Sequence, residues 1–118
     1  MDGEISTDDV ETLLESDDPP RIVDIRSPSA FERGHIPGSE NIPFDELPDS
    51  VDQLADADRV VTVCPHGKAS VQAARLIASH EGTADSRVES MDGGITSWEG
   101  PLDSEGQPAA DEGPEAPF

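Results

Sequence analysis

Four scarcities narrow what this 118-residue chain can be. It has one cysteine, Cys64. A single thiol closes no intramolecular disulfide, which fits a reducing compartment, and a cytoplasmic location is expected. It has seven basic residues against 27 acidic ones, a formal charge of −20, and only one of the seven is a lysine. A surface of that sign repels nucleic acid and anionic membrane, so neither is expected as a partner. No apolar run approaches the roughly 18 residues of a membrane-spanning helix. The first residues, Met1-Asp2-Gly3-Glu4, are acidic and lead into no apolar stretch of the kind a secretory signal carries, so no leader is expected. Histidines are few as well. His35 and His80 stand apart without ligand partners, so neither a metal nor another cofactor is expected.

Acidity of this degree often marks disorder. Here, however, apolar runs recur at regular spacing, and the length suffices for one core. Adaptation to high salt accounts better for the charge. Six arginines, one lysine and carboxylates spread along the whole chain resemble the composition of proteins from salt-accumulating archaea. At molar salt the Debye length is only about 3 Å, so the self-repulsion is screened. The fold is expected to loosen in dilute buffer.

The stretch Val60 to Ser70 organises the rest. Val60–Val63 is short, β-branched and mostly apolar, the pattern of a buried strand. From Ser70 onward Val71, Ala74, Arg75, Ile77 and Ala78 keep a helical rhythm to about His80. Between strand and helix lies a turn that holds both the single cysteine and the single lysine, Lys68. A loop that opens a helix has unpaired N–H groups pointing into it, and the helix adds partial positive charge there. A thiolate is an anion and is stabilised at such a place.

Around this centre the chain alternates strands and helices. Ile5 falls in a short first strand. Ser6 with Asp9 resembles a capping box before the helical face of Val10, Leu13 and Leu14. Asp17-Asp18-Pro19-Pro20 stops that helix. Arg21–Ile25 is a compact strand, Ser27–Ser29 a turn, and Ala30–Arg33 a helical turn ended by Gly34. A tight loop, His35–Ser39, leads into a short extended segment, Glu40–Pro43. Phe44, Leu47, Val51 and Leu54 fit one or two short helices broken near Pro48. Gly82–Asp85 is a turn, Arg87–Met91 a last strand, Asp92-Gly93-Gly94 a sharp turn, and Ile95–Trp98 a short closing helix. Residues 1–99 therefore form the expected domain. Residues 100–118, dominated by Pro, Gly, Asp, Glu and Ala, are expected to be a disordered acidic tail. No internal repeat is visible. The alternation implies a parallel sheet wrapped by helices, whose ligands sit at the carboxyl ends of the strands, where Cys64 lies.

Each residue of the loop has a chemical reading. Cys64 is the candidate nucleophile, because converging amides and a helix start lower a thiol's pKa without a general base. Gly67 permits the positive φ of a loop curled around one sulfur. Pro65 removes one amide and stiffens the entry. Ser70 is expected to cap the helix. Lys68 offers a cation at the mouth, where an anionic substrate would arrive. His66 either donates to that substrate or faces solvent. The bland alternative is that a lone buried cysteine is merely a small hydrophobe.

At this point the landmarks fall into a familiar order. They are Asp24-Ile25-Arg26, Phe31-Glu32-Arg33-Gly34-His35-Ile36-Pro37-Gly38-Ser39, Asn41-Ile42-Pro43, Val63-Cys64-Pro65-His66-Gly67-Lys68-Ala69-Ser70 and Met91-Asp92-Gly93-Gly94-Ile95-Thr96-Ser97-Trp98. Together they resemble the rhodanese (thiosulfate sulfurtransferase) domain, in particular the single-domain members, over about residues 5–99. The resemblance implies an α/β fold with a central five-stranded parallel sheet flanked by helices on both faces. It also implies a ping-pong sulfur transfer. Cys64 takes a sulfane sulfur from a small anionic donor such as thiosulfate, holds it as a persulfide, and yields it to cyanide, a cellular thiol or a sulfur-carrier protein. Residues Pro65, His66, Gly67, Lys68, Ala69 and Ser70 would then bind the substrate. Asp24 and Arg26 would brace the strand end beside the loop, and Gly34, His35 and Gly38 would shape the neighbouring loop. Arg33 reads as an exposed charge, Trp98 as core packing, and the chain as a monomer.

The chain departs from the family in two places. Where many members carry arginine in the loop it has Ala69, leaving Lys68 as the cation to take that place. Pro65 is also unusual there. Two rivals remain. One is a rhodanese-like module that only binds or regulates a partner. The other is a cysteine-dependent phosphatase or arsenate reductase. A phosphatase needs a Cys-x5-Arg loop, but position 70 is serine and the next arginine is Arg75, a turn into the helix, so the bidentate clamp is missing.

Overall fold

The computed structural model describes residues 1–104; most of the segment expected to be a tail, residues 105–118, lies outside the described residues. Five strands, β1 (Glu4–Ile5), β2 (Arg21–Asp24), β3 (Glu40–Asn41), β4 (Arg59–Val63) and β5 (Arg87–Met91), form one sheet in the order β1-β5-β4-β2-β3. Every neighbouring pair is parallel. Four helices accompany it: α1 (Thr7–Leu14), α2 (Pro28–Arg33), α3 (Leu47–Ser50) and α4 (Ala69–Ala78). The parallel sheet wrapped by helices is the one expected from the alternation, and its five strands are those the family resemblance implies.

Alternation along the central strand divides the core. Val60 faces a cluster with Val23, Ile25, Val88, Leu47, Leu54, Ala73, Ala74 and Ile77, beneath α3 and α4. Val61 and Val63 face the other cluster, with Ile5, Ile22, Met91, Val10 and Trp98, beneath α1 and the closing 3-10 turn. A parallel sheet covered on both faces needs apolar residues at successive positions, which is why β4 reads as a near-continuous valine run. Each fully buried aliphatic side chain contributes roughly 1.5–3 kcal/mol. Trp98 is buried at 8% exposure, as core packing requires.

Local chemistry sets the element ends. Ser6 Oγ accepts from Asp9 N at 3.1 Å and caps α1. Ser27 Oγ accepts from Ala30 N, and Pro28 opens α2. Pro48 does not break the third helical segment. It occupies the first turn of α3, where its missing N–H costs no helical bond, between 3-10 turns at Phe44–Glu46 and Val51–Leu54.

The expected boundary at residue 99 falls short of the packed chain. Asp103 and His35 exchange backbone hydrogen bonds at 2.8 Å each. Trp98 Nε1 donates to the Pro101 carbonyl at 3.0 Å, and Leu102 covers Gly34. The buried indole N–H needs an acceptor, and the chain just after it supplies one.

Candidate active site

Cys64 is the first residue after β4, at the carboxyl end of the sheet's central strand, and is 2% exposed. The chain then doubles back over the sulfur. Gly67 N donates to Cys64 Sγ at 3.1 Å and Ser70 N at 3.3 Å. Gly67 holds φ at +80°, the left-handed region expected of it, and a Cβ there would lie 2.7 Å from Gly93 N. The loop is therefore both curled and pressed against the turn after β5.

That turn is the second half of the site. Ile95 N donates to the Cys64 carbonyl at 2.9 Å, and Thr96 N and Oγ1 donate to the Pro65 carbonyl at 3.1 and 3.0 Å. Gly94 has φ +67°, and a Cβ on it would fall 2.5 Å from Pro65 O and 2.6 Å from His66 N. From the sequence alone Asp92-Gly93-Gly94 is a sharp turn with no part in the site; the structure packs it against the Cys64 loop. Two consecutive glycines at the carboxyl end of the strand beside β4 were the available signal.

Ser70 differs from its expected role. The residue at the cap position of α4 is Lys68, with no side-chain cap bond, and Ser70 lies inside the helix, fully buried. Its Oγ is 3.3 Å from Cys64 Sγ and 2.7 Å from Ser90 Oγ. The hydroxyl therefore serves the sulfur rather than the helix end. Burial pushes the Cys64 thiol up. The Ser70 hydroxyl and the amides of Ser70, His66 and Gly67 outweigh it and leave the thiol below its ordinary value. All four donors are neutral, so the thiol is lowered without a partner base.

The remaining loop residues form the exterior. Pro65, His66, Lys68 and Ala69 are exposed. His66 Nδ1 comes within 3.5 Å of Thr96 Oγ1. Asp24 and Arg26 form a closed pair: Arg26 Nη2 meets Asp24 Oδ2 at 2.7 Å and donates to the Gly34 carbonyl at 2.7 Å. Asn41 Nδ2 donates to the carbonyls of Asp24 and Arg26 at 3.0 Å each. This network ties the end of β2 to the 34–38 loop and to β3, next to the strand that carries Cys64. His35 is buried within that loop, stacked on Phe31 at 3.9 Å with Nδ1 2.8 Å from the Phe31 carbonyl. Gly38 has φ +81°, which favours glycine, whereas Gly34 at φ 170° is extended and needs none. Among the described residues, no group of three or more His, Cys, Asp and Glu is placed to hold a metal ion, and no helix is long and apolar enough to cross a membrane.

A thiol held by neutral donors at the end of the central strand of a parallel sheet defines a class of α/β domain built around one buried sulfur. The rhodanese-like domain model matches residues 6–101, and the chain belongs to that family. It is 38% identical over 78 residues to "Thiosulfate sulfurtransferase GlpE" of Pseudoalteromonas translucida, covering 66% of this chain and 71% of that protein. It is 32% identical over 74 residues, 63% of this chain and 40% of the relative, to YrkF of Bacillus subtilis, named as a candidate sulfur carrier. Among solved structures, the rhodanese-like domain of Anabaena Alr3790 superimposes with a TM-score of 0.74 at 22% identity, covering 98% of this chain and 92% of that one. The five-stranded rhodanese-like fold expected from the landmarks is thus the observed fold.

Proposed function

We propose that this chain is a sulfurtransferase that carries a sulfane sulfur as a persulfide on Cys64. The observation that carries the reading is the sulfur's setting: an amide and hydroxyl cradle that favours its anion. In the first half-reaction the Cys64 thiolate attacks the outer sulfur of thiosulfate. A bond forms from Sγ to that sulfur, the S–S bond of thiosulfate breaks, and its electron pair leaves with sulfite. In the second, an acceptor attacks the outer sulfur of the persulfide. With cyanide a C–S bond forms, the persulfide S–S bond breaks, thiocyanate departs and Cys64 regains its thiolate. The loop donors stabilise the thiolate at Sγ, and after transfer the loop amides would stabilise the persulfide, whose charge lies on its outer sulfur.

The donor is a small anion, and Lys68, the one lysine, exposed beside the loop, is the cation to meet it. A cellular thiol or a sulfur-carrier protein is the acceptor; the names of the relatives support both roles in general terms. The protein works as a monomer in the cytoplasm, in the high salt its charge of −20 suits.

The rivals fare less well. Phosphoryl transfer needs a bidentate arginine at the loop, where this chain has the buried Ser70, and Arg75 is exposed further along α4. A module that only binds has no use for a lowered thiol. Thiocyanate formation from thiosulfate and cyanide in molar potassium chloride, with Cys64→Ser alongside, tests the proposal. Activity lost in the variant supports it. A folded native chain that neither forms thiocyanate nor takes sulfur from 3-mercaptopyruvate points to the binding module, and phosphate-ester hydrolysis points to the phosphatase.

A further inference from the structure

Ser90 lies on β5 with its side chain on the same face as Val88, toward α4, and is fully buried. Its register partner on β4 is Thr62. The two hydroxyls converge on one residue: Thr62 Oγ1 donates to the Ser70 carbonyl at 2.7 Å, and Ser90 Oγ sits 2.7 Å from Ser70 Oγ. The surrounding core is aliphatic, with Ala73, Ala74, Ile77 and Val88. A buried hydroxyl there is costly unless its hydrogen bond is used.

We propose that Ser90 is a positioning residue: it donates to Ser70 Oγ and thereby directs the Ser70 hydrogen at the sulfur whenever that sulfur is an anion. The argument is one of proton inventory. A serine hydroxyl has one hydrogen and two lone pairs. When Cys64 is a thiol, its S–H can donate to Ser70 Oγ, and Ser70 can pass its own hydrogen to Ser90. A thiolate has no hydrogen, so the Ser70 hydrogen must turn to Sγ. The 2.7 Å contact between the two serines then survives only if Ser90 donates. The relay Ser90→Ser70→Cys64 has one direction for the anion, and both hydroxyls are fully buried, so solvent water is a poor substitute donor. Without Ser90 the Ser70 hydroxyl is free to rotate away, and the anion loses part of its strongest side-chain donor.

Other groups around the sulfur do not offer the same control. The titratable or charged residues on adjoining elements are Asp24 and Arg26 at the end of β2, Arg59 on β4, His66 and Lys68 on the loop, Arg75 on α4, Arg87 and Glu89 on β5, and Asp92 after it. Asp24 binds Arg26, the buried Glu89 binds Arg59 at 2.7 Å and Arg87 at 3.3 Å, and the other four are exposed. Burial and neutral hydrogen bonds govern the thiol.

The turnover half of the test rests on the sulfurtransferase reading, whereas the titration half does not. In molar potassium chloride, Cys64 is titrated by its alkylation rate and by thiolate absorbance in the native chain, Ser90→Ala, Ser70→Ala and the double variant. Removing Ser90 raises the midpoint by roughly half to one pH unit, the size of a partly lost hydrogen bond to a charged group. Ser70→Ala raises it at least as much, and adding Ser90→Ala to that variant moves it no further, because Ser90 acts through Ser70. Ser90→Thr, which keeps the hydroxyl, restores most of the native midpoint. If Ser90→Ala does not fold, Ser90→Cys, which keeps the volume and weakens the donor, carries the same test. An unmoved midpoint in a folded Ser90 variant overturns the proposal. So does a shift that persists undiminished without Ser70. Absent thiocyanate formation with the expected midpoint shifts would leave the relay standing and sink the sulfurtransferase reading instead.

Discussion

Ile95 N–H donates to the Cys64 carbonyl at 2.9 Å, so the turn that follows the last strand is fastened to the residue bearing the sulfur. The loop and the turn come from strands that are neighbours in the sheet. Neither keeps its shape without the other.

Gly94 measures that dependence. Its φ of +67° already disfavours a side chain, and a Cβ would run into the Cys64 and Pro65 carbonyls and His66 N. Gly94→Ala is expected to cost about 2–4 kcal/mol, the sum of a left-handed backbone and an overpacked contact. Gly38→Ala is the control: φ is +81° but nothing lies within 4 Å of a Cβ. It should cost only ~1–2 kcal/mol. Urea melts in molar potassium chloride compare them, and equal losses would contradict the account.

The thiol links stability to pH. Its pKa is lower folded than unfolded, despite burial, because of the Ser70 hydroxyl and the amides of Ser70, His66 and Gly67. A depressed acid stabilises the fold above its unfolded pKa, and that contribution disappears as pH falls through the folded value. The native chain should therefore gain stability relative to Cys64→Ser as pH rises toward the ordinary thiol range, then level off. Melts of both chains across that range check this; a difference that falls with pH would be the wrong sign.

Two ion pairs should behave differently. Asp24 is 1% exposed and its Arg26 partner 12%. Arg26→Ala strands a buried carboxylate and should cost about 3–5 kcal/mol. Arg21 and Glu40 are each about one third exposed. Arg21→Ala should cost under ~1 kcal/mol for the pair itself. Comparable losses for the two would show that the Asp24–Arg26 network braces nothing special.

Much of this was readable from the chain. The valine run, the proline stop at 19–20 and the glycine turns placed the elements, because a parallel sheet buried on both faces leaves little freedom in strand composition. Cys64 stood out because strand, turn and helix met there. Three things were not readable. Ser70 was expected to cap α4, since capping logic is local, but its hydroxyl is turned inward by Cys64 and by Ser90, twenty residues away in sequence. Ser90 gave no signal of its own: one serine in a five-residue strand looks like ordinary alternation. The packed start of the expected tail was missed for a related reason. From Gly100 onward the composition is dominated by Pro, Gly, Asp, Glu and Ala, but His35 and Trp98 supply backbone and indole partners that composition does not register.

The charge of −20 leads to a salt prediction. Raising potassium chloride from 0.1 M to 1 M shortens the Debye length from about 10 to 3 Å and screens the self-repulsion. A gain of ~1 kcal/mol corresponds to roughly 4–8 °C in Tm for a domain near this size. A Tm that is flat or falls with salt would remove the case for high-salt adaptation.

The most direct test of the central claim is the intact mass of the chain after exposure to thiosulfate in molar potassium chloride. One added sulfur atom, lost on treatment with cyanide and absent from Cys64→Ser, is the expected result. A folded chain whose Cys64 is readily alkylated yet gains no sulfur from thiosulfate or 3-mercaptopyruvate would contradict it.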